Sequence, residues 1–268
     1  MLPIGDQNIA HGAKPYIVYA IIGLNGLVFL YELILAGSVF VSNSLDVTQF
    51  FHKWGAIPKE LFSGREQTHA ILPGQYMGLS IPVRADISSP VSPWVTAFSS
   101  MFIHSGWIHL SSNMLYLWVF GDNIEFRFGR FKFLIFYLAS GLAAIFAQSI
   151  FDTESISPMI GASGAISGVT GAYLVLFPFS KIRTLVIFYF ITVVHLPTIV
   201  LLGFWFILQL LKGVGTLGGF DDGVAYWAHI GGFIAGIVVA TFYNLVKGNP
   251  LLPSRPPRRN DWNIEPYR

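Results

Sequence analysis

Long apolar stretches, separated by short polar connections, dominate the chain from about Tyr16 onward. Six of them have the length needed to cross a bilayer, about 20 residues each. They fall near 16–36, 102–121, 131–150, 160–178, 184–210 and 225–246. The pattern predicts an all-α membrane protein, a bundle of six transmembrane helices with a long first extramembrane loop over about 37–101. Residues 1–15 form a short leading segment, 16–246 the membrane domain and 247–268 a polar tail rich in Pro and Arg. The first apolar run is long enough to span and lacks a small-residue cleavage site, so it reads as a retained helix. The second and fourth runs are the most polar, which is where function concentrates in a bundle.

Composition agrees with this reading. Hydrophobic residues make up 53% of the 268 and charged residues 11%, against about 25% charged in soluble domains. Mean hydropathy is +0.60. A net charge of +2 is too small to argue for nucleic acid. With no Cys, disulfides, thiolate metal sites and cysteine nucleophiles are excluded.

The distribution of bases sets an orientation. Lys14 precedes the first run; Arg127, Arg130 and Lys132 lie between the second and third; Lys181 and Arg183 lie between the fourth and fifth; Lys247, Arg255, Arg258, Arg259 and Arg268 follow the sixth. Six crossings put all four places on one side, so both termini are expected in the cytoplasm. The tail is expected to be mobile or to lie on the membrane surface. In the first loop Phe50, Phe51, Trp54, Leu61 and Phe62 interleave with His52, Lys53, Lys59 and Glu60. That segment either lies in the interfacial plane or packs as an ordinary loop.

Polar groups within hydrocarbon-length segments need partners or a task. Ser163 stands in Gly161-Ala162-Ser163-Gly164, at the start of the fourth run. In a first helical turn it sits beside unpaired backbone N–H groups and the positive end of the helix dipole. His229 stands in Trp227-Ala228-His229-Ile230-Gly231-Gly232. The pairs Gly164/Gly168 and Gly232/Gly236 allow two helices to approach closely. Glycine faces meeting there would bring Ser163 and His229 within hydrogen-bond reach, the condition for activating a serine. His109 and Asn113 are four apart and share a helical face. They read either as oxyanion donors or as interhelical glue. No intramembrane Asp is placed to orient His229, which favours a Ser–His dyad over a triad.

Together, Gly161-Ala162-Ser163-Gly164, His109-xxx-Asn113 and Ala228-His229-xx-Gly232 resemble the rhomboid family of intramembrane serine proteases, over about Trp54 to Asn244. Trp54-Gly55-Ala56-Ile57-Pro58 and Gly121-xxx-Glu125-xxx-Gly129, with Arg127, add to the resemblance, the latter as a structural patch. It implies a six-helix core with a cavity open to the outer side. Ser163 is then the nucleophile and His229 the general base, with Asn113, His109 and the Ser163 backbone N–H as oxyanion hole. Gly161, Gly164, Gly232 and Gly236 are structural residues beside the site. No metal or other cofactor is implied. The partners are transmembrane protein substrates, arriving sideways past the second and fifth spans, and lipids. The loop near Lys212–Val224, with Gly213, Gly215, Gly218, Gly219 and Gly223, becomes a mobile cap.

The sequence departs from the family at two places. Ser167 stands where some members pack an aromatic ring on the catalytic His, so His229 must be held otherwise, as by helix packing around Gly232. Trp94 is followed by Val95 rather than Arg, so anchoring of the first loop must differ. The competing functions are a non-catalytic membrane protein that binds clients and a transporter. Retention of the whole polar set argues against the first; Glu32 near the end of its span, with no paired half, argues against the second. The compact chain is of bacterial or archaeal type, which points to the plasma membrane.

Overall fold

The computed structural model describes residues 1–6, 14–40, 44–76, 79–187, 191–220 and 222–251. The expected tail, beyond Leu251, lies outside the described residues. The framework is mostly helical. It runs β1 (Leu2–Gly5), α1 (Tyr16–Ala36), α2 (Leu45–Trp54), α3 (Pro58–Ser63), β2 (His69–Tyr76), β3 (Leu79–Asp86), α4 (Pro93–Ser99), α5 (Trp107–Phe128), α6 (Arg130–Phe151), α7 (Ser163–Leu176), β4 (Lys181–Ile187), β5 (Ile191–Pro197), α8 (Thr198–Leu217) and α9 (Tyr226–Lys247).

Among the described residues four helices, α1, α6, α8 and α9, are long and apolar enough to cross a membrane. α7 is apolar but has only 14 residues, about 21 Å of rise against a core of about 30 Å. α5 has 22 residues, and its last two turns carry Asp122, Asn123, Glu125 and Arg127.

Two expected runs are corrected. The second occupies Trp107–Phe128 rather than 102–121, because Ser100–Phe102 forms a separate 3-10 turn, Gly106 is the N-cap of α5, and the helix continues through Asp122, Glu125 and Arg127 to Phe128. The fifth run is not one helix from 184. Lys181–Ile187 and Ile191–Pro197 pair as the antiparallel strands β4 and β5, and α8 starts only at Thr198. Thr184, Val186, Ile187, Ile191, Thr192, Val193 and Val194 are β-branched and suit a strand as well as an apolar helix. Pro197 then supplies a helix-entry position. The β4–β5 pair gains a third strand, since β1 pairs antiparallel with β4 in the order β1-β4-β5.

Long-range contacts gather one end of the bundle. The Glu125 carboxylate accepts from the Ile17 and Val18 N–H groups at 3.1 and 2.9 Å. It therefore caps the N-terminus of α1, where helical N–H groups have no internal partner. Tyr243 near the end of α9 donates to the Arg127 carbonyl at the end of α5. Asp6, beyond β1, accepts from Asn123 of α5 and Tyr173 of α7. The start of α1 and the ends of α5, α7 and α9 therefore lie together.

The first loop is folded. Ser44 accepts from the Val47 N–H to cap α2. Phe50 packs on Tyr31 of α1, and Phe62 stacks on Phe146 of α6, which favours the packed reading. Ala56 and Met159 exchange both backbone hydrogen bonds, at 3.0 and 2.8 Å. Gly55 lies against Pro158 and Ile160, where a Cβ would sit 2.9 and 3.0 Å from their side chains. The Trp54–Pro58 motif thus anchors the segment that leads into Ser163.

Glu60 in this loop is buried, with Oε1 accepting from the Gln67 N–H and Oε2 lacking a partner among the described residues. Burial pushes its pKa up. Ionisation therefore costs more in the folded state, and the penalty is present above the folded pKa and absent below the unfolded one. Glu60→Gln is expected to raise the thermal midpoint at pH 7 and to lose that advantage near pH 4. An equal shift at both pH values in a detergent melting curve would assign the effect to packing.

Candidate active site

Ser163 is the first residue of α7, and its backbone N–H lacks an intrahelical partner by position. The turn before it depends on Gly161, whose φ of +116° is disfavoured for other residues. The Gly161 N–H donates to the Ser100 carbonyl at 2.8 Å, tying this turn to the 3-10 segment.

α9 crosses α7 at backbone distance. A Cβ on Gly232 would run into the Gly164 carbonyl, and one on Gly236 into the Gly168 carbonyl. This contact places His229 Nε2 2.9 Å from Ser163 Oγ. The two residues that the sequence pairs are therefore hydrogen-bonded.

His109 and Asn113 face the same cavity of about 1070 Å³ as Ser163 and His229. Ser105 approaches His109 Nδ1 with its backbone N–H at 3.4 Å and its hydroxyl at 3.1 Å. A backbone N–H only donates, so Nδ1 is the acceptor and the ring proton is assigned to Nε2. Nε2 lies at Gly161, where a Cβ would be 2.6 Å from it and 3.8 Å from Ser163 Oγ. The buried Asn113 Nδ2 has no hydrogen-bond partner among the described residues. The His109 Nε2–H thus lies beside Gly161 near the serine, and Asn113 lines the same cavity.

Sequence reasoning missed two amides. Gln209 of α8 takes His229 Nδ1 at 2.9 Å through Oε1. Gln148 of α6 accepts the Ala228 N–H at 3.2 Å, satisfying the first turn of α9. Both are isolated amides in apolar helices, and that isolation was the available signal. Ser167, in the place of an aromatic, does not hold His229; its hydroxyl donates to the Ser163 carbonyl at 2.7 Å. The Trp205 and Tyr226 rings stand 6.1 and 6.4 Å from the imidazole.

The expected cap is shorter than Lys212–Val224. Lys212 to Leu217 continue α8, because Gly213 packs on Tyr226, Trp227 and Ile230 rather than loosening a loop. The remaining connection is latched, since Tyr226 Oη donates to Asp222 at 2.6 Å and Lys212 Nζ reaches Asp222 at 3.3 Å. Those contacts hold the exposed Asp222 carboxyl below its ordinary pKa, the Tyr226 bond first.

These features define a helical multi-pass membrane protein built around a hydrogen-bonded Ser–His pair. Residues 92–245 match the rhomboid domain. The chain belongs to the rhomboid family. It is 34% identical over 138 residues to RHOMBOID-like protein 6, mitochondrial, of Arabidopsis thaliana, covering 52% of this chain and 40% of that protein. It is 33% identical over 145 residues to rhomboid protease GluP of Bacillus subtilis, covering 53% and 25%. It is 45% identical over 71 residues to RHOMBOID-like protein 2 of Arabidopsis thaliana, covering 26% and 22%. The chain spans two fifths or less of the length of these relatives.

Proposed function

We propose that the protein is an intramembrane serine endopeptidase that cleaves transmembrane segments of other membrane proteins. The 2.9 Å hydrogen bond between Ser163 Oγ and His229 Nε2, facing the cavity, carries this reading. Ser163 Oγ attacks the scissile carbonyl while Nε2 takes its proton. The tetrahedral oxyanion is received by the Ser163 N–H, Asn113 Nδ2 and His109 Nε2–H. The imidazolium protonates the leaving amine, and water then releases the acyl group by the same base. The chemistry uses only groups of this chain and water, with no cofactor.

α1, α5, α6, α7, α8 and α9 are proposed as six crossings, with the short α7 buried among the others. The shared end of α1, α5, α7 and α9 carries Lys14, Arg127, Lys181 and Lys247, which supports placing it in the cytoplasm. We assign the plasma membrane; the mitochondrial designation belongs to the relative that bears it. Substrates arrive from the bilayer past α5 and α8, among lipids.

A fluorophosphonate serine probe on the detergent-solubilised protein is expected to label Ser163, mapped by peptide mass. A folded protein that neither labels nor cuts a transmembrane substrate would overturn the reading. Asn113→Ala is expected to slow turnover by roughly ten- to a thousandfold, as for loss of one oxyanion donor. Unchanged turnover would leave Asn113 a packing role.

A further inference from the structure

α8 is long and apolar enough to cross a membrane, and one of its faces is exposed. Ile207, Leu208, Leu210 and Leu211 are exposed, whereas Gln209 among them is buried at 8% exposure. Trp205, Gln209 and Gly213 recur every four residues and so form one stripe. That stripe faces α9. Trp205 stands beside His229, and a Cβ on Gly213 would lie 3.3 Å from Ile230. The close approach at Gly213 lets the Gln209 side chain span the gap, and its Oε1 lies 2.9 Å from His229 Nδ1.

We infer that Gln209 is the positioning residue of the Ser163–His229 pair, holding His229 in the tautomer that carries its proton on Nδ1. The inference rests on the serine-protease reading above. Oε1 only accepts, so Nδ1 must donate, and neutral imidazole then has its lone pair on Nε2. That lone pair accepts the Ser163 Oγ–H and takes its proton during attack. The other tautomer would put a hydrogen on Nε2 and leave the serine without a base. A carboxylate would set the same tautomer but would bring a charge into a membrane helix. The amide orients the ring without that cost. Because α8 rather than α9 carries it, the productive tautomer is held only while α8 is docked on α9.

The test compares Gln209→Met and Gln209→Glu with the native protein. It reads the fluorophosphonate labelling rate, the thermal midpoint, and kcat and KM on a transmembrane substrate. Met keeps length and apolar packing but cannot accept from Nδ1. It is expected to slow labelling and kcat by roughly ten- to a hundredfold with KM nearly unchanged. Glu keeps a carbonyl oxygen in either protonation state and is expected to stay within a few-fold of native. Native-like labelling by Gln209→Met would overturn the inference and leave the protease reading intact. So would an equal loss in both variants, which marks a packing role. Should Gln209→Met not fold, Gln209→Glu decides alone: retained labelling supports the inference and a tenfold loss overturns it. A native protein that neither labels nor cleaves would instead remove the protease reading, and this inference with it.

Discussion

Ser163→Ala is expected to abolish cleavage of a transmembrane substrate while the protein keeps its fold. The change removes one oxygen, whose visible bond is the one with His229 Nε2. Loss of such a hydrogen bond costs about 1 kcal/mol of stability, a small change for a helical bundle. Under the proposed function, turnover should nevertheless fall by about six orders of magnitude, to the assay floor, as it does when the nucleophile is removed from a soluble serine protease. His229→Ala should be almost as inactive, because a neutral hydroxyl without a base is a poor nucleophile. The double variant should be no worse than either single one, since two residues acting as a unit do not contribute additively. Measured cleavage by a folded Ser163→Ala protein, above a mock preparation, would take the nucleophile role away from Ser163. A double variant far below both single ones would mean that the residues act separately.

The pairing was legible in the sequence because it rests on local spacing. Gly164 and Gly168 share a face of one helix, Gly232 and Gly236 a face of another, and Ser163 and His229 sit beside these faces. Matching small residues predicts close crossing without knowledge of the remaining fold. The pairing of Lys181–Ile187 with Ile191–Pro197 was not legible for the opposite reason. The apolar, β-branched residues of these strands fit a membrane helix equally well, and part of their pairing comes from Leu2–Gly5 at the far end of the chain. Gly213 misled in a similar way. Read as loosening a loop, it instead admits Tyr226, Trp227 and Ile230 against a continuing helix. Gln209 was hidden because its partner is 20 residues away on another helix, so its role follows from how α8 docks and not from local spacing.

Gly236→Ala is expected to be among the most damaging single-carbon changes in the chain. A Cβ there would overlap the Gly168 carbonyl oxygen and lie 2.7 Å from its carbon and 2.9 Å from the Ala172 nitrogen. All three are backbone atoms of α7, so no side chain can turn aside. The helices must separate, and an overpacked core typically loses about 1–3 kcal/mol, occasionally more. Gly203→Ala is the matched control. It sits in α8, and among the described residues no atom of another element lies within 4 Å of the added carbon, while alanine favours a helix over glycine by about 1 kcal/mol. The detergent melting midpoint should therefore fall sharply for Gly236→Ala and hold or rise for Gly203→Ala. Equal midpoints would show that α7 and α9 are not in backbone contact. Activity adds a second readout at Gly232. A Cβ there would overlap the carbonyl of Gly164, the residue next to Ser163. Gly232→Ala should lengthen the Ser163–His229 hydrogen bond from 2.9 Å. A misplacement of about 1 Å can cost a hundredfold in rate, so whatever fraction of this variant folds should label slowly. The spacing of the Ser163–His229 pair is thus set by the thickness of two peptide backbones.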